Sequence, residues 1–403
     1  MLRNSFLVGR LYGISIRIDW SWILILLLIT WNLAATFGQA HPGWGSGLRW
    51  GLSVLAALLF FASVLAHEMA HSLVARSQGL PVRDITLFLF GGVSNIEREP
   101  SNPKNEFWMA IAGPLTSLVV GALLLLIVAG SVVINRGFTA IPTQLLSNLT
   151  PLATILLWLG SVNIILGIFN LVPGFPLDGG RVLRSILWGI THNLRTATHW
   201  AAIFGQVIAW IMIVAGISMV FGMYIPFFGT GLVSGLWLAF IGWFLNSAST
   251  QSYQQVKIKD ILEGVPVARI MRSNPPTVDP DCTIDELVQD HMMNSDDQAF
   301  PVLDQDRLVG IVTLDDVRKL RREDWPTARV SQIMTSASNL VTVTPEEDAS
   351  SAMEKLIERD VRQLLVVRPG AYGGDLIGLL RRQDIMRWLQ LHNEDKAVSG
   401  RNP

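Results

Sequence analysis

His67-Glu68-Met69-Ala70-His71 sets two imidazoles four positions apart, with a carboxylate beside the first. Residues at that spacing stack on one face of a helix, so both rings can reach a single metal ion. Zinc held in this way brings the pKa of a bound water to about 7, and Glu68 stands where a general base would take its proton. Gly51–Ala66 contains no charged residue, so the motif lies deep in an apolar helix. Ionisable groups there are costly, and function is their first explanation.

Two histidines leave a catalytic zinc site short of its usual three protein ligands. His41, His192 and His199 fall in connections or at a helix end, which makes Asp178 the better candidate. It sits in Phe169–Arg181 (FNLVPGFPLDGGR), where two prolines and three glycines break the end of an apolar helix. Broken backbone at membrane depth is tolerated only where it lines protein or water. A carboxylate held there can turn toward the metal. Taken alone, Asp178 serves equally well as a cap on the following helix.

The elements that must position these groups are mostly membrane helices. A helix needs about 20 apolar residues to cross the hydrocarbon, and six segments qualify: roughly 20–37, 51–75, 107–134, 145–170, 197–222 and, shorter, 230–247. The first reads as a retained helix, because no cleavage pattern follows it. Lysine and arginine gather before the first helix (Arg3, Arg10, Arg17), after the second (Arg76, Arg83, Arg98, Lys104) and after the fourth (Arg181, Arg184, Arg195). That bias places both termini on the cytoplasmic side. Pro81–Ile96 reads as short strands with a turn, and Phe6–Ile18 as a partner for them. A strand edge beside the site offers an extended segment a place to pair.

Charge divides the chain. Residues 1–250 hold 12 Lys/Arg against 7 Asp/Glu, and residues 251–403 hold 19 against 25. Neither part has the basic excess of a nucleic-acid binder. A single cysteine, Cys282, excludes a disulfide framework. Ser247–Gln255 (SASTQSYQQ), polar and uncharged, reads as a linker, with 251–265 joining the two parts. Beyond it two units repeat in the order strand, helix, strand, strand, helix, over 266–324 and 325–392, followed by a flexible tail at 393–403. The expected fold is therefore a polytopic α-helical membrane protein with short β-strands near the site, followed by a soluble α/β tandem.

His67–His71, Phe90-Gly91-Gly92-Val93, Ala112-Gly113-Pro114 and Asn170–Arg181 together resemble the site-2 protease family of intramembrane metalloproteases, over roughly residues 5–250. The resemblance implies His67, His71 and Asp178 as ligands of one zinc ion and Glu68 as catalytic base. It also suggests Asn170 as a donor to the substrate carbonyl or developing oxyanion; satisfying backbone freed by Pro173 is the structural alternative. It implies single-span membrane proteins as substrates, cut within the lipid bilayer. The repeats resemble paired CBS domains, which implies an adenine nucleotide as regulator and a homodimer through the tandem. Thr313 and Asp316 would contact ribose. The second repeat keeps Asp384 but places Arg381 where a hydroxyl residue belongs. Rival readings are a dimerisation platform for the tandem, and for the whole chain a transporter or channel with a regulatory tail, or a scaffold without catalysis. The intact His67, Glu68, His71 and Asp178 set argues against the scaffold.

Overall fold

Long uncharged runs become helices because a helix closes its backbone hydrogen bonds within one segment. The computed structural model describes residues 5–89, 91–96, 99–136, 149–226, 228–293, 295, 297–305, 307–368 and 375–399. They divide into two units, Met1–Gln254 and Gln255–Pro403. Arg3, Phe90 and Arg98, on which parts of the sequence reading rest, lie outside the described residues.

The first unit contains α1 (Ser21–Ala40), α2 (Ser46–Ser77), α3 (Pro103–Arg136), α4 (Pro151–Asn170), α5 (Asp178–Thr191), α6 (Leu194–Val220) and α7 (Leu232–Leu262). All but α5 are long and apolar enough to cross a membrane, six helices among the described residues. They keep large apolar side chains outward, such as Leu24, Leu27 and Trp31 on α1 and Ile211 and Val214 on α6. Helices of this length with apolar surface turned outward have the form of membrane spans. The bundle packs closely where side chains are small: a methyl on Gly121 of α3 would come within 2.8 Å of the Gly160 carbonyl on α4.

The fourth helix starts at Pro151, where proline's missing N–H costs nothing, and Thr150 caps it by accepting from the Ala153 N–H. The expected stretch 145–148 lies outside the described residues. The sixth helix differs from expectation. Ser247–Gln255, expected as a linker, is helical, and the helix runs to Leu262. Its hydroxyls are satisfied without leaving the helix: Ser247, Thr250 and Ser252 donate to the carbonyls of Trp243, Asn246 and Ala248. Ser249, fully buried, donates to the Ala202 carbonyl of α6. With neither Gly nor Pro in the stretch, nothing breaks the helix.

Four strands, β1 (Ser5–Leu11), β2 (Ile14–Asp19), β3 (Val82–Phe88) and β4 (Gly91–Ile96), form one sheet in that order. β2 and β3 pair in parallel and the two outer pairs are antiparallel, so the amino-terminal segment does join the strands after α2. Gly91 and Gly92 open strand β4, paired with Phe88 and Leu87.

In the second unit, β5 (Arg272–Ser273), β6 (Ala299–Asp304), β7 (Arg307–Thr313), β8 (Thr335–Ser336), β9 (Thr342–Val343), β10 (Gln363–Arg368) and β11 (Asp375–Arg381) build two sheets, β5-β11-β10-β9 and β6-β7-β8. The repeats exchange their opening strands: β5 pairs with β11 of the second repeat, and β8 with β7 of the first. Ala299 and Ile311 of one hairpin and Leu365 and Leu379 of the other are buried together between them. The last helix, α8 (Arg382–Ser399), takes in residues 393–399, expected as tail; 400–403 lie outside the described residues.

Candidate metal centre

α2 and α3 run side by side in opposite directions, and their contact builds the site from two rows of residues spaced four apart. His67 and His71 project from α2; Met109, Gly113 and Ser117 face them from α3. The carbonyl of Met109 accepts from His71 Nδ1 at 2.6 Å. That acceptor fixes the proton on Nδ1 and leaves Nε2 of the neutral ring as a lone pair. Ser117 Oγ meets His67 Nδ1 at 2.9 Å. Both imidazoles are buried, as is Ser117.

Asp178 arrives from the chain break after α4. It is the first residue of α5, whose cap position belongs to Leu177 and has no side-chain hydrogen bond. The carboxylate turns to the imidazoles instead of capping its helix. His67 Nε2 and His71 Nε2 lie 3.1 and 3.2 Å from Asp178 Oδ2, and 3.2 Å from each other. Tetrahedral zinc with bonds of 2.0–2.1 Å spaces its ligand atoms roughly 3.3 Å apart, so this triangle has the right edges. Space for the ion is kept by Gly113. A methyl there would stand 2.6 Å from His67 Nε2 and closer still to His71 Nε2. The three residues therefore fit zinc in donor type, spacing and room, and the Met109 carbonyl sets the tautomer at His71.

Glu68 lies beside this triangle and stays partly exposed. Strand β4 closes on it. Ser94 Oγ donates to Glu68 Oε2 at 2.9 Å, and Ser72 Oγ donates to Ser94 at 3.1 Å. Gly92 is the reason the strand approaches so near, because a Cβ there would lie 2.5 Å from Glu68 Cγ.

α5 is tied to α3 by buried charge. Arg184 donates to Glu106 Oε1 through Nε at 2.6 Å and also through Nη2, with both side chains buried, and Arg181 adds a longer contact at 3.9 Å. This pair holds the start of α5, and so Asp178, against the helix that carries Gly113 and Ser117. Asn170 ends α4 with its Nδ2 donating to the Leu166 carbonyl at 3.1 Å, which uses one of its two N–H bonds.

In the second unit, Thr313 Oγ1 donates to Asp316 Oδ2 at 2.7 Å and Lys319 reaches Oδ1 at 2.8 Å. Burial alone would raise the Asp316 carboxyl, but the bonds from Lys319 and Thr313 outweigh it and hold it below the usual range. Asp384 is gripped on both oxygens by Arg381, whose Nη1 also reaches the buried Asp297. A cavity of about 700 Å³ lies beside them, lined by Arg269, Arg272, Arg381, Asp384, Arg387 and Trp388 among others.

Sequence reasoning placed His67, Glu68, His71 and Asp178 together. It gave no role to Ser72, Ser94, Met109, Ser117, Glu106 or Gly113. Of these only Gly113 carried a signal, as part of Ala112-Gly113-Pro114.

Residues 55–214 match peptidase family M50, and residues 267–323 and 330–391 each match the CBS domain. A Synechocystis sp. protein whose name designates it a zinc metalloprotease is 34% identical over 96% of this chain and 96% of its own. A Mycobacterium tuberculosis protein named in the same terms is 32% identical over 97% of this chain and 94% of its own. The solved site-2 protease of Methanocaldococcus jannaschii is 28% identical, covering 62% of this chain and 95% of that one at a TM-score of 0.39.

Proposed function

The chain belongs to peptidase family M50 and carries a CBS pair, and on that footing we propose that it hydrolyses peptide bonds of single-span membrane proteins inside the bilayer, using one zinc ion held by His67, His71 and Asp178. The observation that carries this is the triangle of ligand atoms with edges of 3.1–3.2 Å beside a partly exposed glutamate. Zinc bound there supplies a Lewis acid that polarises the scissile carbonyl and makes water nucleophilic at neutral pH. Glu68 takes the proton of the attacking water and returns it to the leaving amine nitrogen. Its Oε2 is occupied by Ser94, so Oε1 faces the exchange. Asn170 offers its second N–H to the substrate carbonyl as negative charge builds there.

A transmembrane helix hides its carbonyls in its own hydrogen bonds, so the substrate must unwind before attack. β4 pairs only with β3 among the described strands, which leaves its other edge without a strand, and the face that carries Gly92 and Ser94 lies on Glu68. An unwound segment pairing with that edge is held extended across the site. Proline substitutions along a substrate that left cleavage unchanged would count against this.

The arginine and lysine bias puts both termini and the tandem in the cytoplasm. There the tandem serves as a homodimerising sensor of adenine nucleotide. Thr313 and Asp316 address ribose in the first repeat. In the second, Arg381 occupies Asp384, so the arginines of the adjoining cavity address phosphate instead. Calorimetry with AMP and ATP tests this part, and identical cleavage rates with and without saturating nucleotide would remove the regulatory role.

The direct test incubates purified full-length protein in detergent with a model single-span substrate, with and without a zinc chelator, beside Glu68→Gln. Cleavage stops with chelator, and Glu68→Gln keeps its zinc while losing at least 100-fold in rate, at the low end for a general base. A transporter with a regulatory tail gives no cleavage in any arm.

A further inference from the structure

The base of a hydrolytic site must present one lone pair in one direction, yet a glutamate side chain turns about three bonds. Glu68 is not held by the other acids or bases of the centre. Among the described residues its hydrogen-bonding hydroxyl partner comes from the sheet: Ser94 Oγ lies 2.9 Å from Oε2 and 3.3 Å from the Glu68 carbonyl. One donor thus ties the head of the side chain to its own backbone. Behind it, fully buried Ser72 donates to Ser94 at 3.1 Å. Ser72 and Glu68 are four residues apart on α2, so the two hydroxyls bridge one helical turn through the strand. Among the described residues no hydrogen bond reaches Oε1, which leaves that oxygen to take the proton.

We infer that Ser94, backed by Ser72, is the positioning residue that fixes Glu68 for proton transfer. This rests on Glu68 being the base. Ser94 Oγ bonds Glu68 and Ser72 and not the ligand triangle, and replacing its side chain leaves the backbone N–H and C=O of β4 in place, so its loss acts on turnover and not on metal or substrate binding. General base catalysis contributes about 10²–10⁴-fold, and freeing the base to sample other rotamers forfeits part of it, about tenfold.

The experiment compares Ser94→Ala, Ser94→Thr, Ser72→Ala and Glu68→Gln as full-length chains in detergent. The substrate is a synthetic single-span peptide with a fluorophore and quencher, and zinc content is measured on the same preparations. Ser94→Ala lowers kcat about 10-fold with KM and zinc content unchanged, Ser94→Thr restores it to within about 2-fold, and Ser72→Ala costs about 2- to 3-fold. The inference is overturned if Ser94→Ala turns over at the wild-type rate, if its zinc falls in step with its activity, or if threonine fails to rescue. Should Ser94→Ala not fold, Ser72→Ala decides, since it removes only the donor behind Ser94 and an unchanged kcat overturns the relay. A Glu68→Gln variant that still cleaves would instead remove the base assignment itself, and so separates the two failures.

Discussion

Replacing Gly113 with alanine adds a single methyl group, and the structure places it against the ring nitrogens of both His67 and His71. That methyl falls 2.6 Å from His67 Nε2 and nearer to His71 Nε2, against ordinary contact at 3.4 Å and beyond. At His67 the shortfall is about 0.8 Å, and more at His71, whereas metal–ligand distances tolerate only about 0.2 Å. Neither ring can simply swing away, since His71 Nδ1 is held by Met109 and His67 Nδ1 by Ser117. Overpacking itself costs about 1–3 kcal/mol, which a bundle of this size survives. Zinc should therefore be lost while the fold persists. The assay is elemental analysis of purified protein together with thermal unfolding with and without added zinc, because a ligand bound only by the native state raises its melting temperature. Gly130→Ala, on the same helix with nothing within 4 Å of its added carbon, is the control. Gly113→Ala should hold less than about a tenth of the wild-type zinc and show no zinc-dependent rise, and Gly130→Ala should match the wild type. A Gly113→Ala protein with full zinc and full cleavage would refute the geometry.

Arg184→Met leaves the buried Glu106 charge with only the longer Arg181 contact, and should cost up to about 3–5 kcal/mol; Glu106→Gln on that background should recover much of it, read by thermal unfolding in detergent. Burial, ahead of the neighbouring Glu286, pushes the Cys282 thiol up to about 11. At pH 7.5 its alkylation should run roughly two orders of magnitude slower than that of a free thiol and return to the ordinary rate in denaturant. Asp316, held below the usual carboxylate range, stabilises the tandem above about pH 4 and loses that contribution as pH falls through its folded value. Asp316→Asn should flatten the acid limb of the tandem's unfolding profile, and an unchanged limb would contradict the Lys319 and Thr313 bonds.

What the sequence made legible follows from local rules. A four-residue spacing puts His67 and His71 on one face whatever surrounds them, and long uncharged runs leave the chain little choice but membrane helices. Asp178 lies more than a hundred residues from the histidines, and only the broken backbone and the family resemblance singled it out. Ser94, Ser117 and Met109 were invisible for a different reason. Serines and backbone carbonyls are everywhere, and these matter only through where β4 and α3 dock. Ser247–Gln255 misled because an uncharged polar run resembles a loop on paper, whereas hydroxyls that bond back to the preceding turn, and one bonded to α6, let the helix continue. The strand exchange between the repeats likewise depends on pairing between segments far apart in the chain.

X-ray absorption at the zinc edge of the purified full-length protein interrogates the metal's own surroundings. The expected spectrum is a nitrogen and oxygen shell near 2.0–2.1 Å with the outer-shell scattering of two imidazoles, and Asp178→Asn should lose zinc at least tenfold more readily. No bound zinc, or a sulfur shell near 2.3 Å, which only Cys282 among the cysteines could supply, would contradict a centre built from two histidines on α2 and the aspartate at the head of α5.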